Sequence, residues 1–404
     1  MRQRIVDNAQ YWLGYLGSAE TPPLSRPDFR GAALALELTL QIPEAWPLAM
    51  SLAQALHPRV ECQGHWVDWE RFLKTMTGEA HKRADSVAES KLLIMQGAVQ
   101  RQKGNYQAAV ASYRRAWRLC RQTSDESSRA RALSNLGDLY RLQGRFGRAE
   151  VLCREATKLF EALGDTRLLA RTENHLGLVY FAQHQWAKAE PHFVRSTELA
   201  RESDDLYCLA RALHNLGALH WHVGNLKSAL RHLKEAIHHY QAVGDEISVA
   251  RVQVNIGNVY LDRGDLLQAE ATYSRAERVL RREGDWTNLG TNHNNLGIVY
   301  TRLENWPEAE RCFERAQEVW HAREDTWNLA NTLGELANMH IARGRWDQAQ
   351  ACLDEAWGLV EGQSGTRYDT LREELTERRE KLLPLVGARW RNGGAGPGSD
   401  PTVV

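Results

Sequence analysis

Arginine and asparagine recur at two positions of a forty-residue period in this 404-residue sequence, with His175 in place of one asparagine. Asparagine offers both a donor and an acceptor, so it can bond a peptide group without reading the side chain beside it. Arginine adds a planar fork that suits carboxylates. The two positions are four residues apart and share a helix face, so each pair forms one rung for an extended peptide. The candidate binding residues are Arg131, Asn135, Arg171, His175, Arg211, Asn215, Arg251, Asn255 and Asn295.

A purely structural interpretation of the rungs stays open. A polar residue that recurs at one helical site can bond the neighbouring repeat, and an arginine there can pair with an Asp or Glu at the loops. The arginines give way to Thr291 and Asn331, and Glu335 replaces the last asparagine. If the rungs bind a ligand, this gradient predicts that an acidic segment of the ligand lies over residues 131–260.

Other chemistry finds little support in the sequence. Six histidines stand between His214 and His239, but no HExxH is present, and zinc needs three or four convergent ligands. There is no G-x-S-x-G, no Rossmann glycine string and no G-x-x-x-x-G-K-[ST]. We therefore expect no metal site, no cofactor and no catalytic activity.

Composition narrows the class of protein. Lys and Arg total 51 and Asp and Glu total 51, so the basic excess of a general nucleic-acid binder is missing. No apolar run approaches the ~18–20 residues of a membrane span, and the first residues lack the apolar core of a signal peptide. The six cysteines form no CxxC pair, as is typical of small thiols in a reducing compartment. These features predict a cytoplasmic protein with no direct nucleic-acid or membrane partner.

The forty-residue period extends well beyond the rungs. The segment starting at Ala130 reads ARALSNLGDLY, and equivalents start at Ala170, Ala210, Ala250 and, with more changes, Gly290. A fixed period of 20–50 residues indicates stacked supersecondary units. Each repeat holds two stretches with apolar residues at i, i+3, i+4 and i+7, which predicts two amphipathic helices. We count about eight repeats.

Small and acidic residues mark where these helices end and meet. Gly144 suits the left-handed residue that ends the first helix, and Asp165 suits the N-cap of the next repeat. Glycines in mid-helix, such as Gly217, cost ~1 kcal/mol relative to alanine, so we expect them to allow close helix contact. Ala229, on the second helix, is the expected partner of Gly217.

The patterns divide the chain into four parts. Pro58 interrupts the first helix of the first repeat, so the end of that helix stays open. Thr21-Pro22-Pro23 breaks the helical pattern before it. The terminal segments would cover the exposed core of the stack, as solenoid caps do. The predicted parts are an N-terminal helical cap (1–45), the repeats (46–362), a C-terminal capping helix (363–387) and a disordered tail (388–404).

The spacing of Leu136-Gly137, Tyr140, Gly144, Ala149 and Ala156, echoed every forty residues, resembles the tetratricopeptide repeat. The forty-residue form, with Gly-Asp between repeats, is similar to the repeats of Pins-type polarity adaptors, kinesin light chains and bacterial regulatory ATPases. The resemblance implies an all-α, right-handed superhelical solenoid of about eight antiparallel helix hairpins, with helical caps. It also implies that the first helix of each hairpin lines the concave face. The asparagines resemble those that grip extended peptide backbones in other arrays of this family.

The expected function is that of a non-enzymatic scaffold, which binds an extended peptide or a partner protein in the concave groove. The alternative is a regulatory sensor module of a bacterial signalling or transcriptional system, acting with a separate ATPase or effector. A third possibility is an enzyme subunit whose catalysis lies in a partner chain.

Overall fold

The computed structural model describes residues 1–17, 25–63 and 66–391, and within these ranges it contains helices and turns but no strand. Nineteen α-helices and one 3₁₀ helix lie in the described ranges. They are α1 (Arg2–Gly17), α2 (Arg26–Leu40), the 3₁₀ helix (Pro43–Ala45), α3 (Trp46–Gln63), α4 (Trp66–Lys82), α5 (Ser86–Gln102), α6 (Tyr106–Thr123), α7 (Glu126–Leu142), α8 (Phe146–Leu163), α9 (Thr166–Phe181), α10 (Trp186–Glu202), α11 (Leu206–His222), α12 (Leu226–Ala242), α13 (Glu246–Arg263), α14 (Leu266–Glu283), α15 (Trp286–Arg302), α16 (Trp306–Ala322), α17 (Thr326–Ala342), α18 (Trp346–Val360) and α19 (Thr366–Arg391).

The chain forms two compact units, unit 1 (Met1–Glu246) and unit 2 (Ile247–Val404). In unit 1, α1 and α2 pack on α3, and Phe29 and Leu36 share a core with Trp69 of α4. From α5 to α12 the helices pair as successive hairpins, and α6, α8 and α10 each also pack on the first helix of the next hairpin. The predicted all-α stack of helix hairpins is therefore confirmed within unit 1.

Unit 2 repeats the same arrangement. The pairs α15/α16 and α17/α18 form hairpins. Gly257 of α13 faces the ring of Tyr273 of α14, so these two helices also pack together. The last helix, α19, packs on α17 and α18 with Leu371, Leu375 and Leu382 buried. Among the described helices, none combines the length and apolar character needed to cross a bilayer.

The turns keep their backbone geometry even where the glycine is replaced. Gly144 adopts φ +72°, as predicted, and the equivalent residues His184 and Glu304 both adopt φ +57°. A non-glycine residue in this region costs roughly 1–2 kcal/mol. Packing of the flanking helices therefore imposes the turn, and glycine only lowers its cost.

Aspartate caps the first helix of most repeats, as the sequence predicts. Asp165 Oδ1 accepts a hydrogen bond from the backbone N–H of Leu168 at 2.9 Å, and Asp205 Oδ1 accepts one from Cys208 at 3.0 Å. Each bond satisfies an amide that the helix leaves without an internal partner. The same bond is made by Asp85, Asp125, Asp285 and Asp325.

The mid-helix glycines pack against the second helix of the same hairpin. A Cβ at Gly217 would lie 3.3 Å from the carbonyl oxygen of Ala229, the expected partner, and 2.7 Å from Leu233 Cγ. A Cβ at Gly177 would lie 2.5 Å from Phe193 Cε1. Side chains of a helix lean toward its N-terminus, so the residue one turn further along covers the spot beside each alanine. Gly217 therefore contacts the backbone of Ala229 and, in addition, the side chain of Leu233.

The sequence left one helix end open, and a second helix end differs from its prediction. Pro58 lies inside α3, which continues to Gln63. The last helix continues to Arg391, past the start of the tail predicted at residue 388. The rest of that tail, and the break predicted at Thr21-Pro22-Pro23, lie outside the described residues.

Candidate functional site

A cavity of about 340 Å³ lies in unit 1, lined by the first helices α7, α9 and α11. Four of the predicted rung residues line it, namely Arg131, Asn135, Arg171 and Arg211. All four side chains are half-buried. Arg131 and Asn135 belong to one rung on α7, so the shared helix face inferred from their spacing leads both into the same space.

The cavity lining is predominantly basic. Arg167 joins the three rung arginines, and the two carboxylates are Asp165 and Asp205, which cap α9 and α11. Arg167 Nε donates to Asp205 Oδ2 at 2.7 Å. Four guanidinium groups and two carboxylates give these side chains a net charge of +2, which favours an anionic ligand.

Apolar residues from three other helices also line the cavity. Pro58 of α3, Ile94 of α5 and Phe160 of α8 contribute to it. Beside them lies His57, which is 6 % exposed and whose Nδ1 accepts a hydrogen bond from Trp69 Nε1 at 3.1 Å. That bond requires an unprotonated Nδ1, so it fixes the imidazole as the neutral form with its proton on Nε2.

Sequence reasoning missed several polar residues of the cavity, and for two of them, Arg167 and Tyr207, a signal was available. Arg167 and Tyr207 stand four residues before Arg171 and Arg211, on the same helix faces. The guanidinium carbon of Arg211 lies 5.9 Å from the centre of the Tyr207 ring. Extending each rung by one turn toward the helix N-terminus would have identified both residues.

His175 belongs to the packing between repeats. The side chain is buried at 2 % exposure, and its Nδ1 lies 3.0 Å from Ser134 Oγ, which in turn lies 3.0 Å from Thr172 Oγ1. Burial lowers the pKa of His175 to about 3, against the opposing effect of the nearby Asp138 carboxylate. His175 is therefore neutral around pH 7 and joins α7 to α9.

The asparagines carry part of the inter-repeat bonding as well. Asn215 Nδ2 donates to Asn174 Oδ1 at 2.8 Å, and Asn295 Nδ2 donates to Asn258 Oδ1 at 2.8 Å. Each of these bonds uses one of the two donor hydrogens of the amide. The structural interpretation therefore accounts for at least one donor of each of these two asparagines.

The unit 2 rungs differ from those of unit 1. Arg251 is exposed, and its Nε donates to Asp285 Oδ2 at 2.7 Å, while Asp285 also caps α15. This is the loop pairing that the structural interpretation describes. Asn255 is half-buried on the same helix face, one turn after Arg251.

The six histidines from His214 to His239, for which the sequence predicts no metal, lie on α11 and α12. The rings of His220 and His232 stack with centroids 5.3 Å apart. Burial lowers the pKa of both, that of His232 to about 4. Over the described part of the chain, no three His, Cys, Asp or Glu side chains are placed to hold a metal ion.

Comparison with known protein families gives one family. The tetratricopeptide repeat model matches residues 89–162, 168–242, 248–322 and 289–361, which together exceed half of the chain. No curated protein sequence matches this chain.

Several solved structures share the fold. A Rap protein complexed with Competence and Sporulation Factor is 15% identical, with TM-score 0.60, over 94% of this chain and 100% of that chain. The apo form of the quorum sensor NprR from B. thuringiensis is 12% identical, with TM-score 0.58, over 89% and 99%.

A signal transduction ATPase with a tetratricopeptide repeat sensor, from Pyrococcus horikoshii, is 14% identical, with TM-score 0.58. The match covers 91% of this chain and 54% of that one. At these identities the likeness shows the fold alone. The repeat matches and the stacked hairpins together show that this chain belongs to the tetratricopeptide repeat family.

Proposed function

We propose that this chain is a non-enzymatic scaffold that holds an acidic segment of a peptide or partner protein in the cavity of unit 1. The observation that carries the proposal is the convergence of Arg131, Arg171 and Arg211, one from each of three successive first helices, on one cavity with a net positive lining. Arginine forks bind carboxylates in two-point contacts, which sets orientation as well as affinity.

The mechanism combines charge recognition with backbone capture. Packed helices lie ~8–10 Å apart, and an extended peptide advances ~3.3 Å per residue. One rung would therefore serve about every third residue of the ligand. Asn135 and Asn215 would bond the peptide groups between the acidic side chains, because an amide can donate and accept at once.

The sequence predicts an acidic site over residues 131–260, and we propose that it is shorter. Arg251 does not line the cavity, and its Nε donates to Asp285 Oδ2 at 2.7 Å. The acidic part of the ligand would lie over the rungs from Arg131 to Arg211, which do line the cavity. Known structures of this fold support ligand binding in general, since the Rap protein was solved with Competence and Sporulation Factor bound.

The first prediction concerns partner capture by the full chain. Changing Arg171 and Arg211 together to Glu reverses two charges of the cavity, and we expect loss of the captured partner in a tagged pull-down read by mass spectrometry. Circular dichroism at matched concentration checks that the variant is folded.

Arg251→Glu is the matched control, because it alters the equivalent rung position outside the cavity. It should retain the partner. A folded Arg171→Glu/Arg211→Glu protein that still captures the same partner would contradict the proposal.

The sensor alternative uses the same cavity. Two of the structures that share the fold are named as a quorum sensor and as the sensor of a signal transduction ATPase. If this chain is a sensor, the pull-down should return an ATPase or a transcriptional effector, and a cavity ligand should change the amount captured. Capture that is unaffected by any cavity ligand would favour the simple scaffold.

A further inference from the structure

The cavity of unit 1 carries more positive charge than one carboxylate requires. Its lining holds four guanidinium groups and two carboxylates. We propose that the ligand presents a phosphomonoester dianion to Arg131, Arg171 and Arg211. This inference rests on the proposed function, and it specifies the charged group that the same cavity receives.

The origin of the three arginines on three different helices favours a tetrahedral group. Arg131, Arg171 and Arg211 come from α7, α9 and α11, so they approach the cavity from three different helices. A carboxylate accepts in one plane through two oxygens, which suits a single fork. A phosphoryl group offers three strong acceptor oxygens pointing in different directions and carries a charge of about −1.5 to −2 at pH 7.

The two carboxylates of the lining are fixed by other bonds. Asp165 Oδ1 accepts from the Leu168 amide at 2.9 Å, and Asp205 accepts from both the Cys208 amide and Arg167 Nε. They therefore stay in place as caps when an anion enters. The net +2 of the lining matches the charge of a dianion and exceeds that of a monoanion.

The size of the cavity limits the ligand that carries the phosphoryl group. A volume of about 340 Å³ lies at the lower end of the range for small-molecule pockets. It suits one phosphorylated side chain or one small phosphate ester. A phosphorylated segment of a protein and a free phosphate ester present the same group.

The pH dependence of binding separates a phosphomonoester from other anions. Its second pKa is about 6, so it gains charge between pH 5 and pH 8, whereas a sulfonate stays a monoanion. The titratable groups facing the ligand are His57 of α3, Asp165 at the start of α9, and Asp205, Tyr207 and Cys208 at the start of α11, beside the four arginines. Burial raises the pKa of Cys208, so this thiol stays neutral across the window. Protonation of His57 would require the loss of its hydrogen bond from Trp69 Nε1. It would strengthen anion binding at low pH, which is opposite to the change expected for a phosphomonoester.

The test is calorimetric titration of the full chain with phenyl phosphate and, as a matched ligand, benzenesulfonate. Titration of groups on the protein changes the Kd of both ligands, whereas the second ionisation of the phosphate changes only the Kd of phenyl phosphate. We expect the Kd of phenyl phosphate to fall at least about tenfold from about pH 5 to pH 8, while that of benzenesulfonate stays constant or rises. Equal pH profiles for the two ligands would overturn the inference.

Variants locate the binding to the cavity. Arg171→Gln and Arg131→Gln should each weaken phenyl phosphate binding at least about tenfold at pH 8, because each removes a charged fork. Arg251→Gln, at the same rung position in unit 2, should bind as the wild type does. If benzoate binds as tightly as phenyl phosphate while Arg171→Glu/Arg211→Glu still abolishes partner capture, the proposed function stands and the phosphomonoester inference falls.

A last comparison distinguishes the two sources of the phosphoryl group. A seven-residue peptide with a central phosphoserine should bind more tightly than free phosphoserine if the ligand is a phosphorylated protein, because its backbone reaches Asn135 and Asn215. Equal affinities identify a small phosphate ester instead. Failure of both phosphates to bind, with a folded protein, would refute the inference for either source.

Discussion

Glycine in the middle of the first helices is the residue most directly tied to the packing of each hairpin. A Cβ at Gly217 would meet Leu233 Cγ at 2.7 Å, and the backbone oxygen of Ala229 stands close behind. Gly147, in contrast, lies in α8 with open space where its Cβ would be. A methyl group would therefore clash at Gly217 but would fit at Gly147, although both glycines lie in helices of unit 1.

Alanine substitution at these two glycines should change stability in opposite directions. Gly217→Ala overpacks the contact with Leu233 and should lower the free energy of unfolding by about 1–3 kcal/mol. Gly147→Ala should raise it by up to about 1 kcal/mol, because alanine is the better helix former. Urea unfolding followed by circular dichroism measures both, and equal effects of the two changes would show that the contact at Gly217 does not limit the helix approach.

At the scale of elements, tyrosines at the end of the first helix tie consecutive repeats together. Tyr180 of α9 donates to Glu150 Oε1 of α8 at 2.6 Å, and Arg154 Nη2 donates to the same hydroxyl at 2.6 Å. In unit 2, Tyr300 of α15 donates to Glu270 Oε1 of α14 at 2.8 Å. The links join the second helix of one repeat to the first helix of the next, so they hold neighbouring hairpins in register.

The carboxylate of Asp285 both caps a helix and forms an ion pair between repeats. Substitution of Asp285 therefore measures the contribution of both bonds to the free energy of unfolding. Its Oδ1 caps α15, and its Oδ2 accepts from Arg251. Asp285→Ala should cost roughly 0.5–2 kcal/mol for the cap and a further 0.2–1 kcal/mol for the half-exposed pair. A double-mutant cycle with Arg251→Gln isolates the second contribution.

Asp325→Ala serves as the comparison, since Asp325 caps α17 through bonds to Asn328. Asp325→Ala should lower the free energy of unfolding of the wild type by about as much as Asp285→Ala lowers that of the Arg251→Gln protein. A coupling energy of zero between Arg251 and Asp285 would mean that the rung arginine of unit 2 contributes nothing to stability, which would remove the support for its structural role.

At the scale of the whole molecule, the forty-residue period predicts the order of helices, their caps and their turns, because all of these depend on neighbours close in the chain. It does not predict what a given rung residue contacts. Arg171 lines a cavity and Arg251 pairs with Asp285, although both occupy the same position of the repeat. The difference depends on side-chain conformations and on residues such as Pro58, which comes from the least regular repeat.

The sequence pattern did not predict that His175 is buried, because the equivalent position holds asparagine in four other repeats. The amide side chains of Asn135 and Asn215 are half-buried, whereas His175 is 2 % exposed beneath Ser134 and Thr172. The period assigns a helix face to a residue, but the depth of that residue depends on the side chains that surround it. Position in the repeat therefore located the candidate site without separating its ligand-facing residues from its packing residues.

Buried histidines make the whole chain sensitive to mild acid. Burial lowers the pKa of His175 in unit 1 to about 3 and that of His293 in unit 2 to about 4. Both are 2 % exposed, and an unfolded histidine titrates near 6.5. Between these values the unfolded chain binds more protons than the folded chain. The stability is therefore complete above about pH 6.5 and is lost as the pH falls below it, by roughly 1.4 kcal/mol per pH unit for each histidine.

His175→Asn should make this acid dependence shallower. Asparagine is the residue of four other repeats at this position, and it cannot take up the proton that drives unfolding. The free energy of unfolding in urea, measured between about pH 7 and pH 5, should fall less steeply for the variant than for the wild type. Burial raises the pKa of Asp138, but the guanidinium groups of Arg141 and Arg101 outweigh burial and hold that pKa low, so Asp138 does not contribute in this window. An identical slope in the two proteins would show that His175 is protonated in the folded chain, and the neutral link from α7 to α9 would then have to be replaced by a charged one.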